Sequence, residues 1–237
     1  DKVDLWPAGR VLGGSSSING MLFVRGARED FDGWAALGNS GWGFDDLLPA
    51  FRSIENSAIE SAGLRGHDGP MSVSRLRTTH PLGEVFLKAA SEHGLPLNHD
   101  YNGATQEGVS PPQVTQRNGW RCSSARAFLA PARSRRNLTV LTGVDVEQLL
   151  FAQGESRCVG VKARTRSFRL LSGGEVILSA GALGSPKILM HSGIGDLAAL
   201  SALGIRARLN RPAVGANLQE HPNSVVCAHV NVRTYNM

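Results

Sequence analysis

The sequence of 237 residues predicts a mixed α/β protein. Three features carry that expectation. Apolar residues recur at helical spacing in Phe44–Glu55 and Pro81–His93. Short alternating or continuous apolar runs recur between Leu138 and Ser179, as in strands. The 28 glycines are scattered among these runs rather than gathered in a tract, which fits tight turns in an ordered chain. With 41% hydrophobic and 19% charged residues, the composition is that of a globular protein with one or two domains.

The elements follow in order. Gly9–Gly20, GRVLGGSSSING, is a loop, and Ile18–Val24 is the apolar segment that leaves it. Phe44, Leu47, Leu48, Phe51 and Ile54 form one helical face, with Asp45 and Asp46 in the first turn where acids favour the dipole. Gly66–Ser74 is a turn entering a short strand. Pro81–His93 is a helix closed by Gly94–Pro96. Ser123–Ala132 is a helix ended by Pro131. Leu138–Leu141 and Val144–Phe151 are a strand pair around Thr142–Gly143. Cys158–Arg166 and Phe168–Leu171 continue the β pattern. Glu175–Ser179, EVILS, is a buried strand, followed by a tight turn at Ala180–Gly184. Ser185–His191 is a helix with Pro186 in its first turn, and Asp196–Leu203 is a second short helix. Gly204–Leu209 and Ser224–Val232 are strands.

Composition removes several function classes. The net charge is +5, but only 6% of residues are aromatic and no nucleic-acid motif appears, so the arginines are a solvated surface. Cys122, Cys158 and Cys227 are few, odd in number and far apart, which excludes a disulfide framework and a CxxC metal site and favours a reducing compartment. No histidines pair at HxH or HExxH spacing, so no metal site is expected. No apolar run is long enough to span a bilayer. Gly193–Ala198, GIGDLA, fits GxGxxA formally, but a nicotinamide fingerprint needs a preceding strand, and SPKILMHS is helical.

The loop is the chemically suggestive segment. Gly13 and Gly14 lack a Cβ that would hold a ligand off, and Ser15, Ser16 and Ser17 supply short hydroxyls. Asn19 brings both a donor and an acceptor. A plain turn would have the same composition. Gly9–Asp32, GRVLGGSSSINGMLFVRGAREDFD, together with Gly181–Gly195, GALGSPKILMHSGIG, resembles the two signature segments of the glucose–methanol–choline (GMC) flavoprotein oxidoreductases. Gly38–Phe51, Cys122–Pro131 (CSSARAFLAP) and Asn217–Pro222 (NLQEHP) are similar to further landmarks of that family.

The resemblance implies a flavin domain interleaved with an antiparallel-sheet substrate domain. Residues 1–65 and 137–203 would be the flavin side, and residues 66–136 and 204–237 the substrate side. It implies FAD, with Gly14 and Ser15 near the phosphate–ribityl region. Asn19 and Gly20 would present polar groups, and Met21 and Leu22 an apolar wall. Taken alone, Met21 and Leu22 are ordinary core residues. Val146 would meet the adenine end through its backbone, or be a plain strand valine. Ala180 and Gly181 would approach the cofactor. Some members tether FAD through a histidine where this chain has Ile18, so non-covalent FAD is expected.

The implied reaction oxidises an alcohol, as in choline-dehydrogenase-like members, with oxygen, a quinone or another acceptor. The family's GxGxxG unit and catalytic histidine are expected to lie outside Asp1–Met237, so no catalytic residue is named. His221, with Glu220 before it, is expected to make structural hydrogen bonds. The implied location is the bacterial cytoplasm or the periphery of the inner membrane. Two alternatives stay open: a non-catalytic remnant of such an enzyme, and a hydroxynitrile-lyase-type member.

Overall fold

The computed structural model describes residues 5–59, 61, 63–221 and 226–234. They form a mixture of helices and small sheets, divided into two compact units. One comprises Asp1–Leu138 with Val230–Met237, the other Thr139–His229. Among the described residues no helix is long and apolar enough to cross a membrane.

In the first unit, α1 (Arg28–Ala36) and α2 (Phe44–Ile54) pack through an aromatic cluster. The Phe31 ring lies 5.3 Å from Trp34 and 5.3 Å from Phe51, and Trp34 lies 5.9 Å from Trp42. Acids set both helix starts. Asp30 Oδ2 accepts from Ala27 N at 2.8 Å and Asp46 Oδ2 from Gly43 N at 3.2 Å, satisfying donors that a helix start leaves open. A three-stranded sheet follows. β1 (Glu55–Ser57) runs parallel to β2 (Met71–Arg75), which pairs antiparallel with β3 (Gln113–Val114). The helix α3 (Pro81–Glu92) starts at His80, whose Nδ1 accepts from Leu82 N. A hairpin, β4 (Gln116–Arg117) with β5 (Trp120–Arg121), turns at Asn118–Gly119 with φ of 53° and 80°. Those left-handed values make the two-residue turn that matches strand twist. Residues Ala125–Leu129 form a π-helical turn that runs into α4 (Ala130–Ala132). The helical run is continuous from Ser124 and stops at Ala132, one residue after Pro131, as the sequence predicts, because proline has no backbone N–H for the ladder.

In the second unit, β6 (Val146–Phe151), β7 (Cys158–Ala163) and β8 (Ser167–Arg169) form an antiparallel meander. The helix α5 (Gly181–His191) is tied to β6: Gln148 Nε2 donates to His191 O and Leu149 N to Ser192 Oγ. The short strands β9 (Ile194–Gly195) and β10 (Leu209–Asn210) pair in parallel. Between them α6 (Leu197–Ala202) is capped by Asp196 and buries Leu200 completely.

Several expected elements differ. Leu138–Leu141 and Glu175–Ser179 are not strands, and Ile177 is 83% exposed. Apolar pattern marks a segment for burial, but a strand exists only where a neighbour completes its ladder, and neither segment has one among the described residues. Val146–Phe151 pairs instead with Cys158–Ala163. The helix expected at Ser185 begins at Gly181, so Pro186 lies inside it. Of the expected strand Gly204–Leu209 only Leu209 is strand, together with Asn210 in β10. Residues 226–232 contain no strand, and Ser224 and Val225 lie outside the described residues.

Candidate functional site

The segment Gly9–Leu22 folds back on itself. A 3-10 turn spans Gly14–Ser17, preceded by Gly13 in the left-handed region at φ 91°. Ser15 Oγ accepts from Gly9 N at 3.2 Å, and Ser17 Oγ donates to Leu12 O at 2.9 Å. The fold-back requires glycine at position 9, because a Cβ there would sit 2.3 Å from Gly14 O. At Gly14, with φ 54°, and at Gly20 a Cβ would meet nothing within 4 Å, so the loop's outer face borders open space. Met21 is left-handed at φ 62°, a conformation that costs a residue with a Cβ on the order of 1–3 kcal/mol. Both its main-chain groups are held: Met21 N donates to Asn19 Oδ1 at 3.1 Å, and Met21 O accepts from Thr115 N at 2.9 Å. Leu22 is 62% exposed beside it.

A second segment, residues 113–126, clamps the loop. Phe23 N donates to Gln113 O, and Leu22 bridges Val114. Ser124 N donates to Ser16 Oγ at 2.9 Å, and Ser124 Oγ donates to Gly13 O at 3.1 Å. Arg121 Nη1 donates to Asn19 Oδ1 at 2.8 Å and to Ser16 O at 3.1 Å. Sequence reasoning named CSSARAFLAP but assigned Thr115, Arg121 and Ser124 no part. The Asn118–Gly119 dipeptide was the available signal, since it marks the hairpin that aims Arg121.

Beneath the clamp lies a buried polar cluster that sequence reasoning missed. Glu55 accepts from Arg25 and from Arg65, and Arg65 Nη1 also donates to Asp100 Oδ1 at 2.6 Å and Gln113 Oε1 at 2.9 Å. Asn102 Nδ2 donates to Phe23 O, and Asn102 Oδ1 accepts from Arg25 N. Burial pulls the Arg25 guanidinium below its ordinary pKa, opposed by Glu55. Burial pushes the Tyr101 phenol up, opposed by its hydrogen bond with the Gln113 backbone.

Gly14, Ser15, Asn19, Gly20, Met21 and Leu22 are thus brought together in the first unit. Val146, Ala180 and Gly181 belong to the second. Val146 opens β6, opposite Ala163. Ala180 is the residue before α5, and its N–H donates to Ser185 Oγ at 2.9 Å. Gly181 has φ 83° and open space where a Cβ would stand. The Gly193–Ala198 segment is preceded by α5, not by the strand a nicotinamide fingerprint needs. His221 N donates to Glu220 Oε1 at 2.9 Å. Among the described residues no cluster of His, Cys, Asp or Glu could hold a metal ion. A cavity of about 1240 Å³ in the second unit, bordered by Phe151, Glu155 and Arg208, contains none of the expected site residues.

A glycine-relieved loop with outward donors and half-exposed apolar residues can cradle a flat, partly anionic ligand. Comparison with known proteins gives that loop a family. The chain is 43% identical over 215 residues to the oxygen-dependent choline dehydrogenase of Rhizobium johnstonii, covering 91% of this chain and 39% of that protein. It is 45% identical over 222 residues to human mitochondrial choline dehydrogenase, covering 93% of this chain and 37% of that one. It therefore spans about two fifths of the length of these relatives. Pyridoxine 4-oxidase from Mesorbium loti superposes with a TM-score of 0.79 at 34% identity, over 87% of this chain and 41% of that one. The GMC oxidoreductase family model matches residues 1–223, loop and clamp included, and the chain belongs to that family.

Proposed function

We propose that the protein is an FAD-dependent alcohol oxidoreductase, and that Gly9–Leu22 is where this chain holds the flavin. The observation that carries the reading is the loop itself: an exposed cradle with open space at Gly14 and Gly20, in a chain of the GMC family. The donor set suits FAD. Asn19 commits its side-chain oxygen to Arg121 and Met21 N, leaving its amide N–H groups as outward donors. Met21 and Leu22 stand as an apolar wall held by the Thr115 and Val114 backbone. Val146, Ala180 and Gly181 are proposed contacts from the second unit.

When bound, the flavin accepts the hydride of an alcohol's carbinol carbon. This chain's residues bind and orient it, and the loop's apolar side excludes water from it. Choline and other small primary alcohols are the substrates of choice, since the matched relatives include choline dehydrogenases. The electron acceptor is oxygen, a quinone or another carrier. Ile18 offers the flavin no bonding atom at that position, which supports non-covalent FAD. Residues 1–65 with 137–203 serve the flavin and residues 66–136 with 204–237 the substrate, in the cytoplasm or at the inner membrane's periphery.

The test uses full-length protein mixed with FAD and desalted. Retained flavin absorbance that bleaches on anaerobic addition of choline or another alcohol is the expected result. Flavin retained but never reduced by alcohols would overturn the oxidoreductase reading. Acid precipitation should release the flavin to the supernatant; flavin in the pellet would overturn non-covalent binding.

A further inference from the structure

We propose that Arg121 is a positioning residue of the flavin site, holding the Asn19 amide in one orientation and placing an unneutralised charge beside the loop. The inference rests on the flavin reading above and adds to it a residue outside the loop.

The geometry is specific. One guanidinium nitrogen, Nη1, donates both to Asn19 Oδ1 at 2.8 Å and to Ser16 O at 3.1 Å. Asn19 Oδ1 also accepts from Met21 N at 3.1 Å. An amide oxygen carrying two donors cannot flip, because the flipped amide would set its own N–H groups against those donors. Arg121 therefore decides which face of Asn19 looks outward. The guanidinium is itself placed by structure outside the loop. Arg121 ends β5, pairs across the hairpin with Gln116, and gives its carbonyl to Arg126 Nη1 at 3.4 Å. The neighbouring Cys122 N donates to Thr115 O, the residue whose N–H holds Met21 O.

Arg121 bonds two neutral oxygens, Asn19 Oδ1 and Ser16 O, and neither compensates its charge. Among the described residues none forms an ion pair with Arg121, in contrast to Arg25, Arg28 and Arg65. Its charge is left for what the loop binds. FAD carries phosphates, and its ring becomes more electron-rich on reduction, so a cation at the loop favours both binding and the reduced form.

The experiment uses full-length flavin-loaded protein with Arg121→Met, Arg121→Lys and Asn19→Ala. Arg121→Met should raise the FAD dissociation constant about tenfold or more, from the loss of charge-assisted bonds. It should also lower the flavin midpoint potential and alter the visible circular dichroism of the flavin. Arg121→Lys should recover the potential, since the charge remains, and less of the affinity, since an ammonium does not reproduce the planar fork. Adding Arg121→Met to Asn19→Ala should weaken binding by less than the two single effects combined, because one acts through the other. A dissociation constant within twofold of wild type, with dichroism and potential unchanged, in Arg121→Met would overturn the proposal while leaving the flavin reading intact. Additive losses would overturn the route through Asn19. Wild-type protein that retains no flavin would overturn the flavin reading, and this inference with it.

Discussion

Replacing Glu55 by Gln tests what holds the loop's support in place. The Glu55 side chain has no exposed surface and faces two guanidinium groups, Arg25 and Arg65, of which Arg65 has no exposed surface either. With Asp100, the cluster sums to zero charge. In Glu55→Gln it becomes +1. Arg65 keeps Asp100 Oδ1 at 2.6 Å and Gln113 Oε1 at 2.9 Å. Arg25 keeps Leu64 O at 2.6 Å and the Phe51 ring at 5.4 Å, but no carboxylate at hydrogen-bond distance. The stranded charge is thus chiefly Arg25. Removing one partner of a buried pair costs about 3–5 kcal/mol. For a unit of this size that lowers the melting temperature by roughly 6–20 °C. Urea unfolding followed by tryptophan fluorescence measures it directly, because Trp6, Trp34, Trp42 and Trp120 all lie in the first unit. Adding Arg25→Met should return part of the loss, since the stranded charge goes with it. A Glu55→Gln loss below about 1 kcal/mol, or strict additivity with Arg25→Met, would refute the account of a buried, mutually compensated cluster.

Three further expectations follow from single contacts. Tyr101→Phe leaves the Gln113 N–H, which now donates to the phenol oxygen at 2.6 Å, without its partner, and should cost about 1–3 kcal/mol in urea unfolding. Because burial raises the Tyr101 pKa in the folded state, its contribution is full below the unfolded value. It is lost as pH rises from about 10 through the folded value, so wild type should weaken over that range more steeply than Tyr101→Phe. Asp45, held below its ordinary pKa by the Arg28 hydrogen bonds, contributes stability above the unfolded pKa and loses it as pH falls through the folded one. An NMR titration should find the Asp45 carboxyl back at its ordinary value in Arg28→Ala, and an unmoved titration would refute the pairing. Gly20→Ala should leave stability within about 0.5 kcal/mol, since a Cβ there meets nothing, yet weaken FAD binding about tenfold if the flavin fills that space. Unchanged affinity by flavin fluorescence quenching would place the flavin elsewhere.

The loop and the helices α2 and α3 were legible because their signals are local. Phe44, Leu47, Leu48, Phe51 and Ile54 need only their own spacing to declare a helical face, and Gly13–Gly14 only their missing side chains. Leu138–Leu141 and Glu175–Ser179 failed as strands for the opposite reason: a ladder partner is a property of another segment, and pattern alone does not supply one. The polar cluster was illegible on two counts. Arg25, Glu55, Arg65, Asp100 and Gln113 are scattered along the sequence, and composition rules place such residues outside. Yet that cluster is what makes the loop specific. Gln113 sends its side chain to Arg65 and Asn102, while its carbonyl holds Phe23 N; two residues on, Thr115 holds Met21. One short strand therefore carries the buried charge network on its side chains and the loop's exit on its backbone. Gly9–Leu22 encodes a loop that could bend in many ways. The choice of one bend, with Met21 left-handed and Asn19 turned outward, is made by residues 113–124 and the charges beneath them, so a substitution at Glu55 should be felt at the loop proposed to hold the flavin.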